Sequence, residues 1–74
     1  MNGDAYMKLK TYKVYGCLFN NMDQIVKSFD TDHSEEAIKF MKKCNEDGLN
    51  CVCINFRTGA FSYSFPNSIE EPVL

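Results

Sequence analysis

Thr31 to Leu49, TDHSEEAIKFMKKCNEDGL, carries start, face and stop signals for one amphipathic helix and divides the chain into two strand-rich halves. The start is marked twice: Asp32 is a residue type that caps backbone N–H groups, and Glu35, three residues on, can reach back as the second half of a capping box. Ala37, Ile38, Met41 and Cys44, with Phe40 at the margin, recur at the spacing that shares one helix face, whereas Lys39, Lys42 and Lys43 fall elsewhere. Glu35 and Glu36 near one end and the lysines toward the other complement the helix dipole, each placement worth about 0.3–1 kcal/mol. Gly48 suits the left-handed position just past the end, with Leu49 folding back on Cys44 as in a Schellman stop. Together these signals predict a helix over about Asp32 to Asp47.

Leu9 to Phe19 alternates before the helix, with Tyr12, Val14 and Leu18 on one face and Lys13, Tyr15, Cys17 and Phe19 on the other. Asn20-Asn21 breaks the pattern, and a second strand runs from about Gln24 to Asp30. A hairpin register with Leu18 opposite Ile25, Val14 opposite Phe29 and Lys13 opposite Asp30 matches apolar with apolar and charge with countercharge. After the helix, Val52, Ile54 and Phe56 alternate with Cys51, Cys53 and Asn55; Thr58-Gly59 signals a turn, and Phe61, Tyr63 and Phe65 alternate with Ser62 and Ser64. Pro66 stops the pairing, since it lacks a backbone donor.

The fold class expected is α+β: ββαββ, a four-stranded, mainly antiparallel sheet with one helix packed on one face. Tyr12, Val14, Leu18, Ile25, Phe29, Val52, Ile54, Phe56, Phe61, Tyr63 and Phe65 are assigned to the helix side. The other face would show Tyr15, Cys17, Phe19, Val26, Cys51 and Cys53 among Lys13, Ser28, Asn55, Ser62 and Ser64. That is more apolar than a water-facing sheet usually is, and it marks an interaction surface unless Ile69, Val73 and Leu74, or the N-terminal segment, fold over it.

At 74 residues the chain is expected to be a single domain, with an ordered core of about residues 8–66 and mobile tails at 1–7 and 67–74. Chains this short rarely exceed roughly 3–5 kcal/mol of net stability. A hydrophobic content of 45% excludes the composition of disorder, and a net charge of −2 argues against a protein that lives on phosphate backbones. Met1 to Ala5 is polar, and no stretch approaches the roughly 18 apolar residues of a membrane span. Neither secretion signal nor span is expected, and the location read from the sequence is cytoplasmic. Cys17, Cys44, Cys51 and Cys53 are accordingly read as reduced. Cys51 and Cys53, two apart on one strand, also sit near or past the limit for a relaxed bridge.

The candidate chemistry is thin. Phe29-Asp30-Thr31-Asp32 has the two-acid spacing of an aspartate nucleophile motif or a calcium loop. Counted from Asp30, however, the sixth and twelfth positions are Glu35 and Met41 rather than Gly and Glu. His33 is the single histidine and falls in the first helical turn. The strand spacing C-x-C is a poor match for zinc, so the cysteines read as small buried hydrophobes. Gly3, Gly16, Gly48 and Gly59 are isolated and form no phosphate-cradling loop. No catalytic set, metal or cofactor is expected.

The function expected is therefore non-enzymatic: a protein-binding module, a stand-alone inhibitor or adaptor on a larger protein, with a nucleic-acid-processing host enzyme among the candidates. Phage and mobile-element inhibitors of host defence are the analogy, at the level of class alone. Lys13, Tyr15, Phe19 and Arg57 are the candidate binding residues, because Tyr, Phe and Arg are enriched at interface centres. Two alternatives stand beside it. One is a homodimer formed through the open face or an edge strand. The other is a weak single-stranded nucleic-acid binder using the strand from Lys8 to Tyr15, whose lysines read equally as the guard of an edge strand.

Overall fold

A computed structural model describes residues 9–18, 24–67 and 72–74. Strand β1 (Tyr12–Cys17) and strand β2 (Ile25–Thr31) form the first hairpin, helix α1 (Ser34–Glu46) follows, and β3 (Asn50–Asn55) and β4 (Phe61–Ser64) form the second. The sheet order is β2-β1-β3-β4 with every neighbouring pair antiparallel, and α1 packs on one face. This is the α+β, ββαββ arrangement that the pattern of elements implies.

In the first hairpin Val14 pairs with Phe29 and Lys13 with Asp30, as the matching of apolar and charged residues requires. Leu18 does not meet Ile25. The register slips at Gly16/Cys17, so that Cys17 faces Ile25 and β2 carries one extra residue, Val26. The first strand is no edge strand: β2 and β3 flank it on both sides.

The helix ends as its sequence demands. Leu49 N–H donates to the Cys44 carbonyl at 2.9 Å and Gly48 N–H to that of Asn45 at 3.0 Å, with Gly48 at φ 84, the two bonds of a Schellman motif. Its start differs from expectation. His33, not Asp32, is the N-cap residue, and no side chain caps the first turn. Asp32 is engaged elsewhere, accepting the Thr11 N–H at 2.9 Å and the Thr11 hydroxyl at 3.2 Å; the backbone bond above all holds its carboxyl below the ordinary range. Thr31 takes over locally: its hydroxyl accepts the His33 N–H at 3.1 Å and donates to Glu36 at 2.6 Å.

The core lies between α1 and the sheet, and its strand residues correct the expected face assignment. Val14, Cys51 and Cys53 are buried with Ala37, Met41, Cys44 and Leu49, and Tyr12, Phe40 and Leu74 pack against them. Val14 pairs with Cys53, Gly16 with Cys51, Cys53 with Ser62 and Cys51 with Ser64. Directly opposite residues share a face. The helix side of β3 and β4 is thus Cys51, Cys53, Ser62 and Ser64, while Val52, Ile54, Phe61 and Tyr63 project from the other side.

Close approach explains the choice. A Cβ at Gly16 would stand 2.8 Å from Cys44 Sγ and 3.3 Å from a Leu49 methyl, so the helix rests almost on the β1 backbone. Directly beside Gly16, cysteine fits under that helix where a branched or aromatic side chain would hold it away. At the far edge the Ser62 hydroxyl donates to the Val73 carbonyl at 2.8 Å, and Leu74 reaches the core cluster. Residues 72–74 therefore close the helix side and not the opposite face. Ile69 lies outside the described residues.

Candidate functional site

The second face of the sheet reads in rows across the strands. Ser28, Tyr15, Val52 and Tyr63 form one, and Asp30, Lys13, Ile54 and Phe61 form the next. Val52 at the centre is buried, Tyr15 and Ile54 are half-buried, and exposure rises to 57% at both Phe61 and Tyr63. The Phe61 and Tyr63 rings stack at 6.5 Å between centroids. Neither α1 nor residues 72–74 lie on this side, and covering the exposed halves of the two rings would contribute on the order of 1 kcal/mol each. Val52, Ile54, Phe61 and Tyr63, which sequence reasoning placed against the helix, thus lie on this face, and Phe61 and Tyr63 are its most exposed aromatics.

Of the four candidate binding residues, the structure brings two together on this face. Lys13 Nζ lies 5.7 Å from the Tyr15 ring centroid, within cation–π range, and 4.0 Å from the Asp30 carboxylate. Arg57 sits apart, in the turn after β3. There Asn55 Oδ1 accepts the Arg57 and Thr58 N–H groups at 2.8 and 3.2 Å, and Gly59 at φ 80 completes the reversal. Arg57 lines a cleft of about 300 Å³ with Leu9, Lys10, Thr11 and Phe56, the last half-exposed. Phe19 lies outside the described residues, as does Lys8 of the basic strand; Lys10 is 3.9 Å from Asp32.

A second concavity, about 440 Å³, flanks the helix. Its floor is the Phe29–Phe40 stack, 4.9 Å between centroids, and its rim is Glu36, Lys39 and Lys43.

The cysteines belong to packing. All four are buried thiols that no disulfide joins, and burial pushes each of them above the usual thiol range, Cys51 most. The Cys51 thiol donates to the Met41 carbonyl over 3.7 Å, and its cross-strand neighbour Ser64 buries a hydroxyl without a hydrogen-bond partner among the described residues. Protonated, desolvated thiols are poor nucleophiles and poor metal ligands. Among the described residues no group of three or more His, Cys, Asp or Glu side chains is placed to hold a metal ion, and no helix is long and apolar enough to cross a membrane. Compared with known proteins, the chain matches no family model, no curated protein and no solved structure.

Proposed function

We propose that this chain is a non-enzymatic protein-binding module, an inhibitor or adaptor that seats the helix-free face of its sheet on a larger protein. The observation that carries this reading is the aromatic face itself: Tyr15, Ile54, Phe61 and Tyr63 project where neither the helix nor residues 72–74 lie. Aromatic residues are enriched at interface centres. Lys13, already partly desolvated against Tyr15 and Asp30, adds an oriented charge at the margin. A reducing, cytoplasmic setting suits four buried thiols that no disulfide joins.

The test is capture from a host lysate by the immobilised protein, identified by mass spectrometry and repeated with two variants. Ile54→Ser with Tyr63→Ser removes apolar area from the face and should abolish capture of the specific partner while the circular dichroism spectrum stays native. Lys39→Ser on the helix should leave capture intact. Equal capture by all three proteins would overturn the assignment of the face.

A further inference from the structure

Strand β4 is an edge, and the phase of its ladder decides which backbone groups it leaves unpaired. Phe56 N–H donates toward β1, to Thr11, and Asn55 N–H donates the other way, to Ala60 at 2.9 Å. Stepping by two along the register, Cys53 with Ser62 and Cys51 with Ser64 are the pairs whose amides and carbonyls face each other. Those of Phe61 and Tyr63 point away from the sheet within its plane, and no described residue pairs with them. Two donors and two acceptors at strand spacing are a template for another strand. The opposite edge is guarded, since β2 carries Lys27 and Asp30 and is bulged at Val26. From Thr58 to Pro66 there is no charged residue at all.

We infer that β4 of a second copy of this chain occupies this edge, antiparallel, about a two-fold axis through Ser62. In that register Phe61 of each copy lies opposite Tyr63 of the other, so every outward N–H meets an outward carbonyl. Paired side chains share a face, which sets aromatic against aromatic across the axis and makes the two open faces one continuous surface. The occupant is a like strand because this edge matches itself: it is uncharged, so a two-fold places no like charges opposite one another, and its two unpaired residues are of one kind. A four-residue contact falls well short of the roughly 800 Å² per partner of a stable complex, so the dissociation constant is on the order of 10–100 µM. The pairing uses in-plane backbone groups and leaves the aromatic face free, so it stands independently of the partner-binding reading.

Sedimentation equilibrium together with residue-resolved amide exchange of the whole chain tests it. The Phe61 and Tyr63 amides should exchange freely in dilute protein and about five- to fifteen-fold more slowly at about 1 mM, the fraction of monomer expected from that constant. The Ser62 and Ser64 amides, bonded to β3, should be protected at every concentration. Tyr63→Pro removes an outward donor without taking a bond from β3 and should give a folded monomer. A wild-type monomer at about 1 mM, a dimer whose Phe61 and Tyr63 amides stay fast, or a folded Tyr63→Pro that still dimerises would each overturn the inference. Should that variant not fold, the wild-type exchange pattern decides alone. Failure here leaves lysate capture by Tyr15, Ile54 and their neighbours unaffected, so the two readings fall separately.

Discussion

Gly16→Ala adds one methyl group beneath the helix and sets two effects of opposite sign against each other. Gly16 is not among the residues with positive φ, so its backbone does not require glycine. A less flexible unfolded chain would by itself make alanine stabilising by about 0.4–1 kcal/mol. Against this, the new Cβ would meet Cys44 Sγ at 2.8 Å and a Leu49 methyl at 3.3 Å, and both neighbours are locked in the core. Overpacking of this kind costs about 1–3 kcal/mol, so the sum runs from about zero to a loss of about 2.6 kcal/mol. At about 4–8 °C per kcal/mol for a domain of this size, Tm should fall, by up to about 20 °C. In a Cys44→Ala background the nearest atom is gone, and the same substitution should cost far less or stabilise. Thermal melts of the four proteins form a double-mutant cycle. A Gly16→Ala protein more stable than wild type, or an equal change in both backgrounds, would refute the close approach from which the face assignment is argued.

Three further outcomes follow from other parts of the structure. Gly48→Ala forces a side chain into φ 84 and should lower stability by about 1–2 kcal/mol, read as a lower urea midpoint; an unchanged midpoint would contradict the Schellman stop. Burial and raised thiol pKa values predict that a colorimetric thiol reagent at neutral pH reacts with the native protein only at its unfolding rate and finds all four cysteines at once in denaturant; a fast-reacting native thiol would oppose this. Lys27 Nζ bonds Asp47 Oδ2 at 2.7 Å, which lowers the Asp47 pKa and raises that of Lys27. Asp47→Asn should therefore lower Tm most between the ordinary carboxylate and lysine ranges, with the difference fading as pH falls through the depressed Asp47 pKa or rises through the elevated Lys27 value. Because both groups are exposed, molar salt should shrink it too, and a difference that does not vary with pH would assign it another cause.

Local features of this fold were legible and non-local ones were not. The Gly48-Leu49 stop could be read because a Schellman motif is written in adjacent residues. The core of the first hairpin register could be read because Lys13/Asp30 and Val14/Phe29 constrain it twice; the bulge at Val26 has no comparable mark. Asp32 was misread as a helix cap because its actual partner, the Thr11 N–H, arrives from 21 residues away. The faces of β3 and β4 were inverted for a similar reason. Cys51 and Cys53 are as apolar as Val52 and Ile54 for purposes of alternation, so the larger residues were sent inward. Only the neighbour β1, with Gly16 under Cys44, shows that the helix needs a surface of small side chains. The signal was present in the spacing of Gly16, Cys51, Cys53, Ser62 and Ser64, but using it requires the sheet order. Tyr15 and Lys13 were placed correctly on the open face because they belong to the hairpin that could be registered, while Phe61 and Tyr63 were missed along with the strands that carry them.

Phe61 and Tyr63 of the second hairpin lie on the side of the sheet away from the helix. Solvent paramagnetic relaxation in NMR, using a soluble gadolinium probe, measures it directly. The side-chain protons of Phe61 and Tyr63 should be strongly broadened and those of Cys51 and Cys53 untouched, with Cys51 showing cross-peaks to Met41. Protected Phe61 and Tyr63 rings with cross-peaks to the α1 side chains, and exposed cysteine methylenes, would contradict it.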